Sequence, residues 1–81
     1  MQNDIYQRRN EAVLEAIRMG VLSDMGRNSY RNMRELGFTR DGVQDAVARL
    51  TREGRAHCRV ERGRIILFPG RRLNNNGGDA A

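Results

Sequence analysis

The feature that most constrains this chain is a change of hydrophobic period at Gly54. Between Thr39 and Gly54, apolar residues fall at Val43, Ala46, Val47 and Leu50, the i, i+3, i+4, i+7 spacing of one helix face. Thr39 stands where a hydroxyl caps a first turn, and Gly54 where a helix stops. The period then becomes two. Ala56, Cys58 and Val60 alternate with His57 and Arg59, and Arg64-Ile65-Ile66-Leu67-Phe68 returns before Pro69. Arg62-Gly63 between the two runs predicts a two-residue hairpin loop. That register sets Val60 opposite Ile65 and Cys58 opposite Leu67, so one face is wholly apolar, while Ile66 and Phe68 share the reverse face with His57 and Arg59.

Two further helices are expected upstream. Asp4-Ile5-Tyr6-Gln7 has the spacing of a capping box, with Asp4 as the cap. Ile5, Arg9, Ala12, Val13, Ala16 and Ile17 then share one side, which predicts a helix from about residue 4 to about 19, stopped near Gly20. Residues 23–28 read as a loop. Asn28 or Ser29 is expected to cap a short second helix that carries Tyr30, Met33 and Leu36 and ends at Gly37. In the turn that follows, Leu36 and Phe38 are expected to anchor both flanking helices in the core, and Tyr30 to lie there too. Residues 70–81, with Asn74-Asn75-Asn76-Gly77-Gly78, have nothing to pack and read as a disordered tail beside a single domain over residues 1–69.

Composition narrows the function. Eighty-one residues, 38% of them hydrophobic, suit one small domain. There is no run of 18 apolar residues and no basic-then-apolar leader, so neither a membrane span nor a signal peptide is read, and a reducing cytoplasm is the expected setting for the lone Cys58. Alternation sends His57 and Cys58 to opposite faces. With one of each in the chain, neither a zinc site nor a Cys–His nucleophile assembles, and no phosphate-binding glycine loop is present. The expectation is a non-enzyme with no cofactor and no metal.

The charge is unevenly spread. All fifteen basic residues are arginine, a usage that a GC-rich genome alone could produce, and the net charge is +5. Residues 1–26 carry three arginines and four acids, a net −1; residues 27–72 carry twelve arginines against five acids, a net +7. A basic block of this kind is what a surface that displaces counterions from phosphates requires.

Leu36-Gly37-Phe38-Thr39, Val43, Ala46-Val47, Leu50 and Glu53-Gly54, followed directly by the hairpin 55–68, resemble the winged helix-turn-helix family of bacterial and phage regulators. The resemblance covers about residues 28–68. It implies a mainly helical domain of order α-α-α-β-β with a small hairpin, whose third helix reads the major groove and whose hairpin, the wing, touches phosphate or the minor groove. The function implied is a sequence-specific double-stranded DNA-binding regulator, with Arg40 and Gln44 as base readers and Arg62 and Arg64 as wing contacts.

Side-chain chemistry agrees. Arginine pairs with guanine and glutamine with adenine in bidentate fashion. Asp41 and Asp45 suit acceptance from cytosine N4, or simply stabilise the helix dipole as N-terminal acids. Thr39 and the first N–H groups of the third helix are placed to hold a phosphate. Arg59 joins the wing arginines as a backbone contact, and Arg31 and Arg34, with Arg27, are candidates for the backbone from the second helix.

Two departures bear on the fold. The family usually has a small residue where this chain has Met33, which predicts looser packing of the two helices, and Gly42 in the third helix costs about 1 kcal/mol against alanine. The alternative reading is a protein-binding winged helix, such as a phage- or plasmid-type accessory protein that binds a host protein. Asp41 and Asp45 suit that use, and a homodimer partner or the first helix would cover Ile66 and Phe68.

Overall fold

The structure, a computed structural model, describes residues 3–71, with side chains from Ile5 onward. The side chain of Asp4 and the expected tail over 72–81 lie outside the described residues. Three helices, α1 (Asn3–Arg18), α2 (Arg27–Glu35) and α3 (Arg40–Arg52), precede an antiparallel hairpin of β1 (Ala56–Glu61) and β2 (Arg64–Pro69). This is the α-α-α-β-β order of a winged helix-turn-helix. α1 begins at Asn3, before the expected Asp4 cap.

All three helices stop in the same way. After α2, the N–H of Gly37 donates to Arg34 O (2.9 Å) and that of Phe38 to Met33 O (2.9 Å). This paired closure needs a left-handed residue at Gly37, whose φ is +96°. The same pair of bonds recurs at Gly20/Val21 and at Gly54/Arg55. Each helix therefore reverses direction within two residues, which is what folds so short a chain back on itself.

The core is built where α1, α3 and the hairpin meet, with α2 closing it against α3. Val13, Leu14, Ala16 and Ile17 of α1 meet Leu22, Met33, the α3 face Val43–Ala46–Val47–Leu50, and Ala56 and Leu67 of the hairpin. Burying each of the larger aliphatic side chains stabilises the fold by roughly 1.5–3 kcal/mol. Met33 is fully buried, so the bulkier side chain fills the junction of α2 with the core. On α1 the buried side is rotated from the expected one. Leu14, absent from the expected stripe, is buried, whereas Ile5 and Ala12 are exposed.

Leu36 is 60% exposed and anchors nothing. It occupies the C-cap of α2, where the chain is already turning away, and Met33 one turn earlier has taken the space beneath. Phe38, beyond the reversal, does pack against the core. The caps divide similarly. Thr39 Oγ1 accepts from Gly42 N (3.0 Å) at the start of α3, as expected. At α2 neither Asn28 nor Ser29 is the cap; Gly26 is, without a side-chain bond of its own. Asp24 supplies the oxygen, accepting from Gly26 N (2.8 Å) and from the Ser29 hydroxyl (3.0 Å). A Cβ on residue 26 would lie 2.9 Å from that carboxylate, so a side chain there would have to displace the Asp24 oxygen.

The hairpin has the expected register, with Val60↔Ile65 and Cys58↔Leu67 and a tight turn through Arg62 (φ +54°) and Gly63 (φ +77°). The expected apolar face is buried only at its base. Leu67 is buried and Cys58 half-buried, but Val60 and Ile65 extend past the core into solvent. The segment read as a loop before α2 makes an isolated antiparallel bridge to β2. Asp24 pairs with Ile66, Met25 N donates to Ile65 O (3.0 Å), and Leu67 N donates to Ser23 O (2.9 Å). The start of α2 is thereby fixed to the wing. Just past the end of β2, the Gly70 N–H donates to Arg55 O (2.8 Å) and its carbonyl meets His57 Nδ1 (2.9 Å).

Candidate nucleic-acid interface

α2 carries arginines at 27, 31 and 34, the i, i+4, i+7 positions of one helix stripe. Met33 and Ser29 form its buried side, so packing of the core turns the arginine stripe outward. The reversal at Gly37 and the Thr39 cap then bring the first residue of α3 back beside it. The Arg40 guanidinium lies over the Tyr30 ring, 5.0 Å from its centroid. Between them is a cleft of about 480 Å³ lined by Met25, Arg27, Tyr30, Arg31, Arg34 and Arg40. None of its four arginines has a salt bridge to an acidic group among the described residues. Four like charges around an open hollow concentrate positive potential there, with low-dielectric walls to focus it.

A second hollow, of about 410 Å³, adjoins the first through Arg27 and is lined by Asp24, Gly26, Arg27, Asn28 and Arg64. Arg64 reaches from the wing to donate to Asp24 Oδ2, and Asp24 is buried. The Gly26 N–H, with the Arg64 guanidinium and the Ser29 hydroxyl, holds the Asp24 carboxyl below the usual carboxylate range, against the opposing effect of burial. Asp24 thus ties the cap of α2, two residues on, to the wing at Arg64, forty residues on.

The candidate site residues fall into distinct places. Arg31, Arg34 and Arg40 share the cleft, with Thr39 at its edge on the α3 cap. Asp41 and Gln44 are exposed on the N-terminal half of α3. Arg62 is exposed at the tip of the wing, and Arg64, just after the turn, is tied to Asp24. Two residues are drawn elsewhere. Asp45 accepts from Arg9 of α1 (2.5 Å) and Arg49 (3.2 Å), and these partners, Arg9 foremost, lower its pKa. Arg59 lies over Phe68, 5.5 Å from the ring centroid, and 3.8 Å from Glu61 on the outer face of the hairpin.

The residues that sequence reasoning underweighted are Arg27, Tyr30 and Asp24. For the first the signal was present in the i, i+4, i+7 spacing. Tyr30 was expected in the core; it packs against it and also forms a wall of the cleft. Asp24 gave no local signal, because its role depends on Arg64.

No membrane-length apolar helix occurs among the described residues. The chain matches no family model, and neither a curated protein nor a solved structure is significantly similar to it.

Proposed function

We propose that this protein binds double-stranded DNA through one continuous face and acts in the cytoplasm as a non-catalytic, sequence-specific regulator. In this reading the N-terminal half of α3 enters the major groove, with Arg40, Asp41 and Gln44 at base edges. The α2 arginines grip the flanking phosphates, and the wing meets the backbone or the adjoining groove through Arg62, while Arg64 is held by Asp24. Asp45, engaged by Arg9 and Arg49, serves to fasten α3 to α1 instead.

The observation that carries the reading is the cleft of Arg27, Arg31, Arg34 and Arg40. Its cations have no salt-bridge partners among the described residues, and it lies against the exposed start of α3. A protein pays to hold four guanidinium groups together unless a polyanion comes to neutralise them. The rival reading, a protein-binding module, drew on Asp41 and Asp45 and on an apolar outer hairpin face. On that face Phe68 is engaged within the chain, where His57 stacks on it at 5.1 Å and Arg59 lies over the ring.

The test is anisotropy of a labelled duplex titrated with wild type and with R27Q/R31Q/R34Q/R40Q across a salt series. Wild type should bind with a steep salt dependence. The three lost phosphate contacts of Arg27, Arg31 and Arg34 should lower the slope of log K against log salt by about 3. Failure of wild type to retain any duplex at low salt, or an unchanged slope in the variant, would overturn the reading.

A further inference from the structure

Among the described residues three arginines lie over aromatic rings, and one of them differs from the other two. Arg9, over Tyr6, also meets Asp45 (2.5 Å), and Arg59, over Phe68, also stands 3.8 Å from Glu61. In both cases the ring braces an arginine whose charge is already matched. Arg40 lies over Tyr30, 5.0 Å from the ring centroid. Among the described residues no acid pairs with it and no acceptor takes its N–H groups. Contact with a π face holds a cation without using a hydrogen-bond acceptor. The guanidinium is therefore placed while its planar set of donors stays open.

Both ends of the contact are fixed by backbone. Tyr30 sits early in α2, where its N–H donates to Gly26 O (3.1 Å), and its side chain packs against the core. Arg40 is the first residue of α3, a turn held by the Thr39 cap on Gly42 N (3.0 Å). The reversal at Gly37 (φ +96°) brings the two together. Arg27, Arg31 and Arg34 line the same cleft, so their like charges push Arg40 away from it. The ring of Tyr30 offsets that push and keeps the guanidinium at the start of α3.

We propose that Tyr30 is a positioning residue that decides base specificity: it holds Arg40 ready to donate to O6 and N7 of a guanine, acting through Arg40 rather than on the DNA. The inference rests on the DNA-binding reading given above and adds a division of labour within the cleft. Arg27, Arg31 and Arg34 lie over no ring and are suited to phosphates, which every sequence offers. A bidentate pair with guanine demands one direction of the guanidinium fork. An unheld arginine loses conformational freedom when it docks, and any nearby phosphate competes for it. One already seated on a ring loses less and keeps its direction.

The experiment uses a duplex selected by wild type from a random pool, together with its single-pair variants. The pair read by Arg40 is the G·C pair at which R40A loses discrimination. Anisotropy then compares wild type, Y30M, Y30F, R40A and Y30M/R40A on that duplex and on the one with A·T in its place. Methionine fills the space of the ring without a π face, and phenylalanine keeps the face. Ring-current shifts of the Arg40 side-chain protons in the DNA-free protein report the contact itself. For wild type that measurement needs neither a duplex nor a variant that folds.

Arg40 protons should lie upfield of their ordinary positions in wild type and Y30F and return to them in Y30M. Wild type should prefer the G·C duplex by about tenfold or more. Y30M should lose about fivefold on that duplex and little on the A·T one, with no fall in the salt slope, because no phosphate contact is removed. Y30F should discriminate as wild type does, and Y30M should change discrimination no further in the R40A background. Unshifted Arg40 protons in wild type, or a Y30M that keeps its preference, overturn the role of Tyr30 and leave DNA binding standing. Equal losses on the two duplexes, or a loss that persists in R40A, make Tyr30 structural only and also overturn it. So does an R40A variant that loses discrimination at no G·C pair. Absence of duplex binding by wild type overturns both readings.

Discussion

Two regions of this small protein use arginine in opposite ways. Along α1 and its contacts, three arginines are matched. Arg9 meets Asp45, Arg55 meets Glu11 at 2.6 Å, and Arg18 meets Glu15. The first two strap α1 to α3 and to Arg55, just before β1, and the third lies within α1. Across the molecule, at α2 and the start of α3, Arg27, Arg31, Arg34 and Arg40 gather with no acid partner among the described residues. Net charge cannot tell these uses apart, since a matched arginine and an unmatched one count the same. Pairing can. A matched arginine is structural and screens its own field, whereas an unmatched cluster keeps its field for a partner.

The largest expected effect is therefore on binding, and it is confined to one region. At moderate salt R27Q/R31Q/R34Q/R40Q should lose about 10³-fold in duplex affinity, within the range expected for several phosphate contacts. R18Q/R49Q, drawn from the matched region, should lose no more than about threefold. Equal losses in an anisotropy titration would show that only total charge matters and would dissolve the distinction. Next in size is the packing that aims the cleft. Met33→Ala empties a fully buried site and should cost about 2–5 kcal/mol in urea unfolding. Leu36→Ala, three residues on, should change stability by less than about 0.5 kcal/mol.

The junction between the regions is Asp24. Replacing it with alanine removes acceptors from Gly26 N, Ser29 and Arg64 at a buried position, and should cost about 2 kcal/mol. The pH dependence has a definite sign. The Asp24 pKa is lowered on folding, chiefly by the Gly26 N–H, so its contribution is fully present above the ordinary aspartate value of 3.8. It is lost as pH falls through the depressed folded value. Wild type should therefore lose stability below about pH 4 more steeply than Asp24→Asn, when urea midpoints are followed against pH. Parallel acid limbs would mean that the carboxylate does not join the wing to α2.

Asp24 also marks where sequence reading stops. The helix stops, the Thr39 cap, the buried face of α3 and the hairpin register were all legible, because each depends on residues within a few positions of one another. The cap of α2 was not. Asn28 and Ser29 have the right chemistry nearby, but the oxygen comes from Asp24, held in place by Arg64. Leu36 misled because its hydrophobicity was visible and the turning of the chain beneath it was not. The arginine stripe of α2 could be read from spacing. Its union with Arg40 required the tight reversal at Gly37, and the capture of Asp45 required Arg9, thirty-six residues away.

The smallest effect bears on the two aspartates of α3, which the sequence presents as equivalents four residues apart. In the structure they are not. Asp45 sits between Arg9 and Arg49, so most of its field is already cancelled, while Asp41 is exposed in the first turn beside Arg40 with no salt bridge among the described residues. If α3 faces a duplex, Asp41 repels phosphate unless it accepts from a cytosine. On duplexes without a cytosine at the contacted position, Asp41→Asn should raise affinity about threefold, the effect of removing one weakly screened charge. Asp45→Asn should raise it less and should instead lower the melting temperature by freeing Arg9 from α3. The two variants, compared by anisotropy and thermal melting, separate a charge that faces the ligand from one that faces the scaffold. If Asp45→Asn gives the larger gain in affinity and Asp41→Asn the larger loss in melting temperature, the roles are reversed. The boundary between matched and unmatched regions would then run through α1, and the DNA-facing surface would have to be sought there.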